Sequence, residues 1–248
     1  MTVQEFSNEF DLLYDNASKG APGLDLYEKS VFLTKAQDDI IKEVYSGYTP
    51  SRVPFEGSEK RRRQLSELVR DYRTETTLDG YVNEHIAEGT QFFGLPTDLM
   101  YILQERVTFT SVDKNINNSI VSVKPITHDE YNFQIDNPFK KPSKRTVWRL
   151  DLYRAGSGQQ VEIIAFEEIK EYHIRYIKRP RPIILTNFES DDDLAGLGLT
   201  IDSENTAQTS ELNEEIHRDI LGRSIELAIM AARENNLINK IKSNKTTI

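Results

Sequence analysis

The apolar positions of this chain change period along its length. Val3, Phe6, Phe10 and Leu13 recur at helical steps with Tyr14 beside them, which predicts an amphipathic helix at the start. Gly20, Ala21, Pro22 and Gly23 break it. Asp25 followed by Glu28 is a capping-box pattern. It predicts a second helix to about Tyr45, with Tyr27, Val31, Ala36, Ile40 and Val44 on its apolar side. Pro50, Pro54 and the glycines at 47 and 57 read as a connector. Ser58 then caps a third helix with a stripe of Leu65, Leu68, Val69 and Tyr72.

Residues 75–96 resist assignment, and beyond them β-branched and aromatic residues dominate. Residues 107–110, 120–123 and 131–135 are short strand candidates. From Arg145 to Tyr153, Trp148, Leu150 and Leu152 alternate with Arg145, Arg149 and Asp151. The turn at 155–158 then predicts a hairpin whose return strand continues the apolar face with Val161, Ile163 and Ala165. A further strand, 171–178, puts Tyr172, Ile174 and Tyr176 on one side and His173, Arg175, Ile177 and Arg179 on the other. Ile183, Ile184 and Leu185 form a last apolar strand candidate. Residues 187–210 read as a long solvated loop. Ile216, Ile220, Leu227 and Ala231, with Leu221 and Ile225 beside them, mark a closing helix, and Glu214 and Glu215 suit its positive end.

Helices, then strands, then a helix is the order of an α+β fold and argues against alternating nucleotide-binding sheets. The expected arrangement is a helical bundle of the N-terminal helices and the C-terminal helix, with an inserted, mostly antiparallel β lobe. Its parts are N-terminal helices at 1–74, a β-rich lobe at 75–186, an acidic loop at 187–211, a C-terminal helix at 212–234 packing on the N-terminal helices, and a flexible tail at 235–248.

Composition narrows the chemistry. At 248 residues and 38% apolar the chain can bury a substantial core. The absence of cysteine excludes disulfides and thiol chemistry. Nothing resembles a secretion signal or a membrane span, so synthesis in a cytoplasm is expected. His85, His128, His173 and His217 are scattered without metal-ligand spacing, and no phosphate-binding or nucleophile-elbow motif occurs. Asp191, Asp192 and Asp193 could hold a hard cation, but they lack the alternation of a calcium loop. Glu167 and Glu168 sit at an expected turn, and Arg61, Arg62 and Arg63 open a helix on an acidic protein. The reading is of no catalytic residue, no metal and no cofactor: not an enzyme.

The net charge of −9 is segregated. Glu189, Asp191, Asp192 and Asp193 open a segment that contains no Lys or Arg up to Glu215. Residues 138–181 are basic, and Arg145, Arg149, Arg175, Lys178, Arg179 and Arg181 form a candidate oligomer-interface face. Three uses stay open for that face: phosphate contact, the acidic loop of the same chain, or the acidic loop of a neighbouring copy, which would generate a ring.

Three stretches carry a resemblance: S-N-E-F-D-L-L-Y-D-N at 7–16, A-P-G-L-D-L-Y-E-K-S-V-F-L-T-K-A-Q at 21–37 and L-N-E-E-I-H-R-D-I-L-G-R-S-I-E-L-A at 212–228. Together with a looser likeness over 172–185, they resemble a head-to-tail ring, or neck, structural family of crAss-like tailed bacteriophages. That family tends to place a proline where Asn213 stands here. The resemblance implies a virion protein that forms a homo-oligomeric, dodecameric ring below the portal. Such a ring would touch the portal protein and neighbouring neck and tail proteins, line the channel through which DNA passes, and use no membrane. Another phage tail role (stopper, tail terminator or internal virion protein) and, more remotely, a DNA-binding module remain alternatives.

Overall fold

The computed structural model describes residues 1–18, 23–47, 55–75, 77–78, 90–111, 116–134, 137, 139–154 and 158–245. The expected break at 20–22, the prolines at 50 and 54, His85 and the turn at 155–157 lie outside them. The fold is α+β, with five α-helices and a curled, mixed seven-stranded sheet among the described residues. It divides into two compact units, one of residues 1–68 with 180–248 and one of residues 69–179.

The first unit is helical. Helix α1 (Val3–Ser18) buries Phe6, Phe10 and Tyr14, four residues apart on one face, and exposes Leu13. Helix α2 (Leu26–Ser46) starts at the expected Asp25–Glu28 capping box and ends on Gly47, whose positive φ of 72° is the left-handed C-cap that glycine adopts without strain. A short α3 (Glu59–Leu65) begins after Ser58, which makes no side-chain cap bond. The long closing helix α5 (Glu214–Lys245) buries Ile216, Ile220, Leu221, Ile225 and Ala228. Asn213 caps it, accepting the Glu215 amide at 3.0 Å. Helices α1, α2 and α5 pack on one another.

The buried face of α2 is not the one its apolar residues suggested. Val31 is exposed, while Ser30, Thr34 and Gln37 are buried together with Leu33, Ala36 and Ile41. These three polar groups bind an extended segment. The Thr34 hydroxyl accepts from the Ile183 amide at 3.0 Å and donates to its carbonyl at 3.3 Å. The Ser30 hydroxyl accepts from the Leu185 amide at 3.0 Å, and the Gln37 amide donates to the Arg181 carbonyl at 2.9 Å. Residues 183–185 are therefore not a sheet strand; among the described residues their ladder contact is an isolated bridge from Ile184 to Gln208. A helix face spaced i, i+4, i+7 supplies partners where a neighbouring strand would.

The second unit is the sheet. Its strands are β1 (Val69–Thr74), β2 (Thr90–Gly94), β3 (Leu99–Thr110), β4 (Ile120–Pro125), β5 (Val147–Arg154), β6 (Gly158–Ile164) and β7 (Glu168–Lys178), in the order β1-β7-β3-β4-β5-β6-β2. Every neighbouring pair is antiparallel except β4 with β5. β4 pairs with β3 through Ile120–Ser122 and with β5 through Val123–Pro125. That change of partner lets the sheet curl around one core of Phe93, Val107, Phe109, Val121, Val147, Val161, Ile163, Tyr172 and Ile174. Gln91 on edge strand β2 stitches the curl toward β7: its side-chain oxygen accepts the Ile169 amide and its nitrogen donates to the Ile169 carbonyl.

Three expectations are corrected. Val69 and Tyr72 belong to a strand, because residues 69–74 find a full antiparallel partner in β7. Residues 128–134 form helix α4 (His128–Gln134), not a strand. The Thr127 hydroxyl accepts the Glu130 amide while the Glu130 carboxylate accepts the Thr127 amide, a capping box the sequence carried. In the hairpin, Trp148 lies opposite Ile164 and Leu150 opposite Glu162, whereas Arg149 faces Ile163 and Asp151 faces Val161. Val161 and Ile163 thus lie on the other side from Trp148, and both faces of this hairpin are buried.

Thr34→Val keeps the shape of the buried α2 face but leaves both backbone groups of Ile183 unpaired. A stability loss of about 1–3 kcal/mol is expected. Urea unfolding at constant m-value measures it; an unchanged midpoint would show that the stripe does not hold the segment.

Candidate functional site: charged surfaces for assembly

The six residues of the basic face do not share one surface. Arg149 lies on the core side of β5, buried, with its guanidinium 2.7 Å from Glu105 and hydrogen-bonded to Asp151. The Tyr172 hydroxyl donates to the same Glu105 carboxylate. Burial and this carboxylate together raise the phenol well above its ordinary range. Glu105 is also buried, so the trio is an internal network under a groove edged by Gln104, Ser122 and Pro125, with the Arg149 Nε left without a hydrogen-bond partner. Arg149 is thereby withdrawn from any stripe: strand register puts it on the face opposite to Arg175.

Arg175 stands on the outer face of β7, where its guanidinium meets Asp71 of β1 at 3.0 Å. That hydrogen bond, first, and the positive charge of Arg175 hold the Asp71 carboxyl below its usual range. Beside them Arg73 pairs with Glu171. The outer face of β1 and β7 is therefore a ladder of alternating charges rather than a basic stripe. Lys178 ends β7 half-buried, and Arg179 follows it exposed, its amide bound to the Asp98 carbonyl at 2.6 Å. Arg145 is not on a strand; it occupies a tight exposed turn between Ser143 and Thr146. Arg181 lies in the helical unit and pairs with Glu211 at 3.1 Å.

The acidic stretch is more ordered than a solvated loop. Ile184, Phe188 and Leu194 form a small core, with Tyr27, Leu199 and Ile201 packed against it. The sequence carried this signal in its spaced apolar residues, which the density of carboxylates masked. Consecutive turns follow: the Asp191 side chain accepts the Asp193 amide, Glu189 accepts from Asn205, and Asp192 and Asp193 face outward. Among the described residues no group of three or more His, Asp or Glu side chains converges as a metal site. His217 is buried, with a ring nitrogen 2.9 Å from the Leu212 carbonyl, and burial lowers its pKa. His173 sits 3.6 Å from Asp71 on the exposed ladder. Arg61 lines a groove of about 610 Å³ between α2, α3 and α5, together with Glu43, Arg218 and Glu226. No described helix is long and apolar enough to cross a membrane.

Two buried charges generate predictions. Arg149→Ala strands Glu105 in the core and is expected to cost about 3–5 kcal/mol in chemical denaturation, whereas replacing both partners by apolar residues costs much less. Glu162 is buried on β6 with one carboxylate oxygen lacking a partner, and burial raises its pKa. A raised folded pKa means that the folded state holds the proton more tightly, so this group's contribution to stability falls as pH rises above the ordinary carboxyl value of 4.5. Glu162→Gln is therefore expected to raise stability at pH 7 and to give no gain in strongly acidic solution, as read from unfolding midpoints across pH.

Residues 1–240 match the family described as phage tail ring protein 3/4. Two proteins of Bacteroides phage crAss001 are similar along nearly the whole length. Its ring protein 4/5 is 36% identical over 92% of this chain and 92% of its own. Its ring protein 3 is 37% identical over 93% of this chain and 96% of its own. A match that spans both units and both charged regions establishes kinship: this chain belongs to the phage tail ring protein 3/4 family, a bacteriophage structural family whose members are named for ring assembly.

Proposed function

We propose that this protein is the repeating subunit of a closed ring in the head-to-tail connector of a tailed phage, stacked below the portal and lining the channel through which DNA leaves the head. The observation that carries this reading is the near-full-length similarity to two ring proteins of one phage. A ring needs a heterologous contact, in which one surface of a copy meets a different surface of the next. The acidic turns around Asp191–Asp193 and the exposed cations Arg145 and Arg179 are candidate halves of such a contact, and the ring is taken as dodecameric. An acidic subunit also suits a DNA conduit, because its overall charge discourages tight phosphate binding. No chemical step is assigned to it. It is made in the host bacterial cytoplasm and ends in the virion neck.

Electron microscopy of the purified chain and of the virion neck tests this directly. Rings of twelve copies at the level between portal and tail are expected. A sixfold or monomeric particle would favour a stopper, terminator or internal virion role instead. Absence of the chain from purified virions by mass spectrometry would remove the reading altogether.

A further inference from the structure

Strand β3 has a partner on both sides for only part of its length. It pairs with β7 from Leu99 to Thr110, but with β4 only through residues 106–108. After Ser122, β4 leaves β3 and pairs with β5. The edge of β3 at residues 102–105 therefore meets no strand among the described residues. A groove of about 320 Å³ lies beside it, walled by Ile102, Leu103, Ser122 and Pro125. An open edge is a binding surface, because its row of N–H and C=O groups is matched by any extended backbone. Two further features leave this fork incomplete. Arg149 lines the groove with its buried Nε lacking a hydrogen-bond partner, a donor that an incoming carbonyl or carboxylate can use. Arg106 and Lys124 are exposed on the rim and meet no carboxylate among the described residues. Arg106 stands opposite Ser122, and Lys124 follows Ser122 on the same side of β4, so both cations lie on one side of the fork.

A complement to this fork exists within the acidic segment of the helical unit. Ile201 and Glu204 bond each other through both backbone groups at 2.9 Å and close a two-residue turn. Asp202 and Ser203 in that turn have positive φ, 49° and 69°, a geometry that asparagine and glycine adopt with less strain. An aspartate and a serine at these exposed positions strain the turn without packing on a core, which points to a use outside the unit. Leu199 and Ile201 pack on the core of Ile184, Phe188 and Leu194, and alternation leaves Thr200 and Asp202 exposed on the other side. Resting on the ring reading above, we infer that the fork between β3 and β4 is a docking slot for residues 199–202 of a second copy of this chain. That segment adds to the open edge at 102–105 through backbone hydrogen bonds, and its Asp202 carboxylate meets Arg106 and Lys124. Donor and acceptor belong to different units, so the contact is head-to-tail and propagates around a ring.

Hydrogen exchange and thiol crosslinking of the full chain test the slot. The amides of 102–105 are expected to exchange at least about tenfold more slowly in rings than in dilute monomer. Unchanged exchange in intact rings overturns the slot and leaves the ring reading standing. The chain has no cysteine, so Gln104→Cys with Thr200→Cys introduces its only thiols. Mild oxidation of rings built from this variant is expected to join successive copies, and neither single variant to do so. A disulfide confined to one chain, or none in intact rings, refutes the proposal. Arg106→Glu with Lys124→Glu is expected to leave the melting transition unchanged and to raise the concentration for half-assembly about tenfold, and the further change Asp202→Lys to restore it. Asp202→Asn with Ser203→Gly relieves the turn, so it is expected to raise the melting temperature and yet to weaken assembly. A variant that melts higher and assembles as well as the natural chain removes the tip from the contact. A natural chain that stays monomeric at every concentration removes the ring reading and the slot together.

Discussion

Buried backbone and buried charge must find partners, and this requirement organises both units of the protein. In the helical unit an extended segment at 181–185 runs without a neighbouring strand. Ser30, Thr34 and Gln37 of α2 answer its amides and carbonyls, at the cost of polar residues on a helix face that would otherwise be apolar. Gln37 also accepts from the Ser210 hydroxyl at 2.6 Å, which ties the chain just ahead of α5 to the same stripe. The helix thereby does the work of a strand, and the packing of α5 follows from where that segment is held.

The sheet unit solves the same problem by curling. A seven-stranded sheet left flat would expose two long edges. Here β4 changes partner midway, and Gln91 pairs by side chain with the backbone of Ile169 across the closing gap. The interior so formed encloses an ion pair: Arg149 and Tyr172 both meet the Glu105 carboxylate inside it. Such a network is a poor source of net stability but penalises any register that separates its members.

For the ring, what matters is which charges these internal demands leave over. Arg149 is spent in the core, Arg175 on Asp71, and Arg181 on Glu211. Lys140 and Lys141 are exposed on the sheet unit, and the carboxylates of 192 and 193 face outward on the helical unit.

The sequence alone determined the local features: the Asp25–Glu28 box that starts α2, the Phe6–Phe10 face of α1, the alternation in β7 and the apolar stripe of α5, because each is encoded by neighbours within a turn or two. The segregation of charge and the family likeness were legible for the same reason. Only the tertiary structure decided that residues 69–74 pair as a strand, since their partner lies about a hundred residues away in β7. It also decided which side of the hairpin Val161 and Ile163 occupy, because register depends on the whole sheet and both faces are apolar. The fate of the basic residues was hidden for a related reason: charge can be counted along a chain, but whether an arginine faces solvent or a buried carboxylate depends on what the fold brings opposite it.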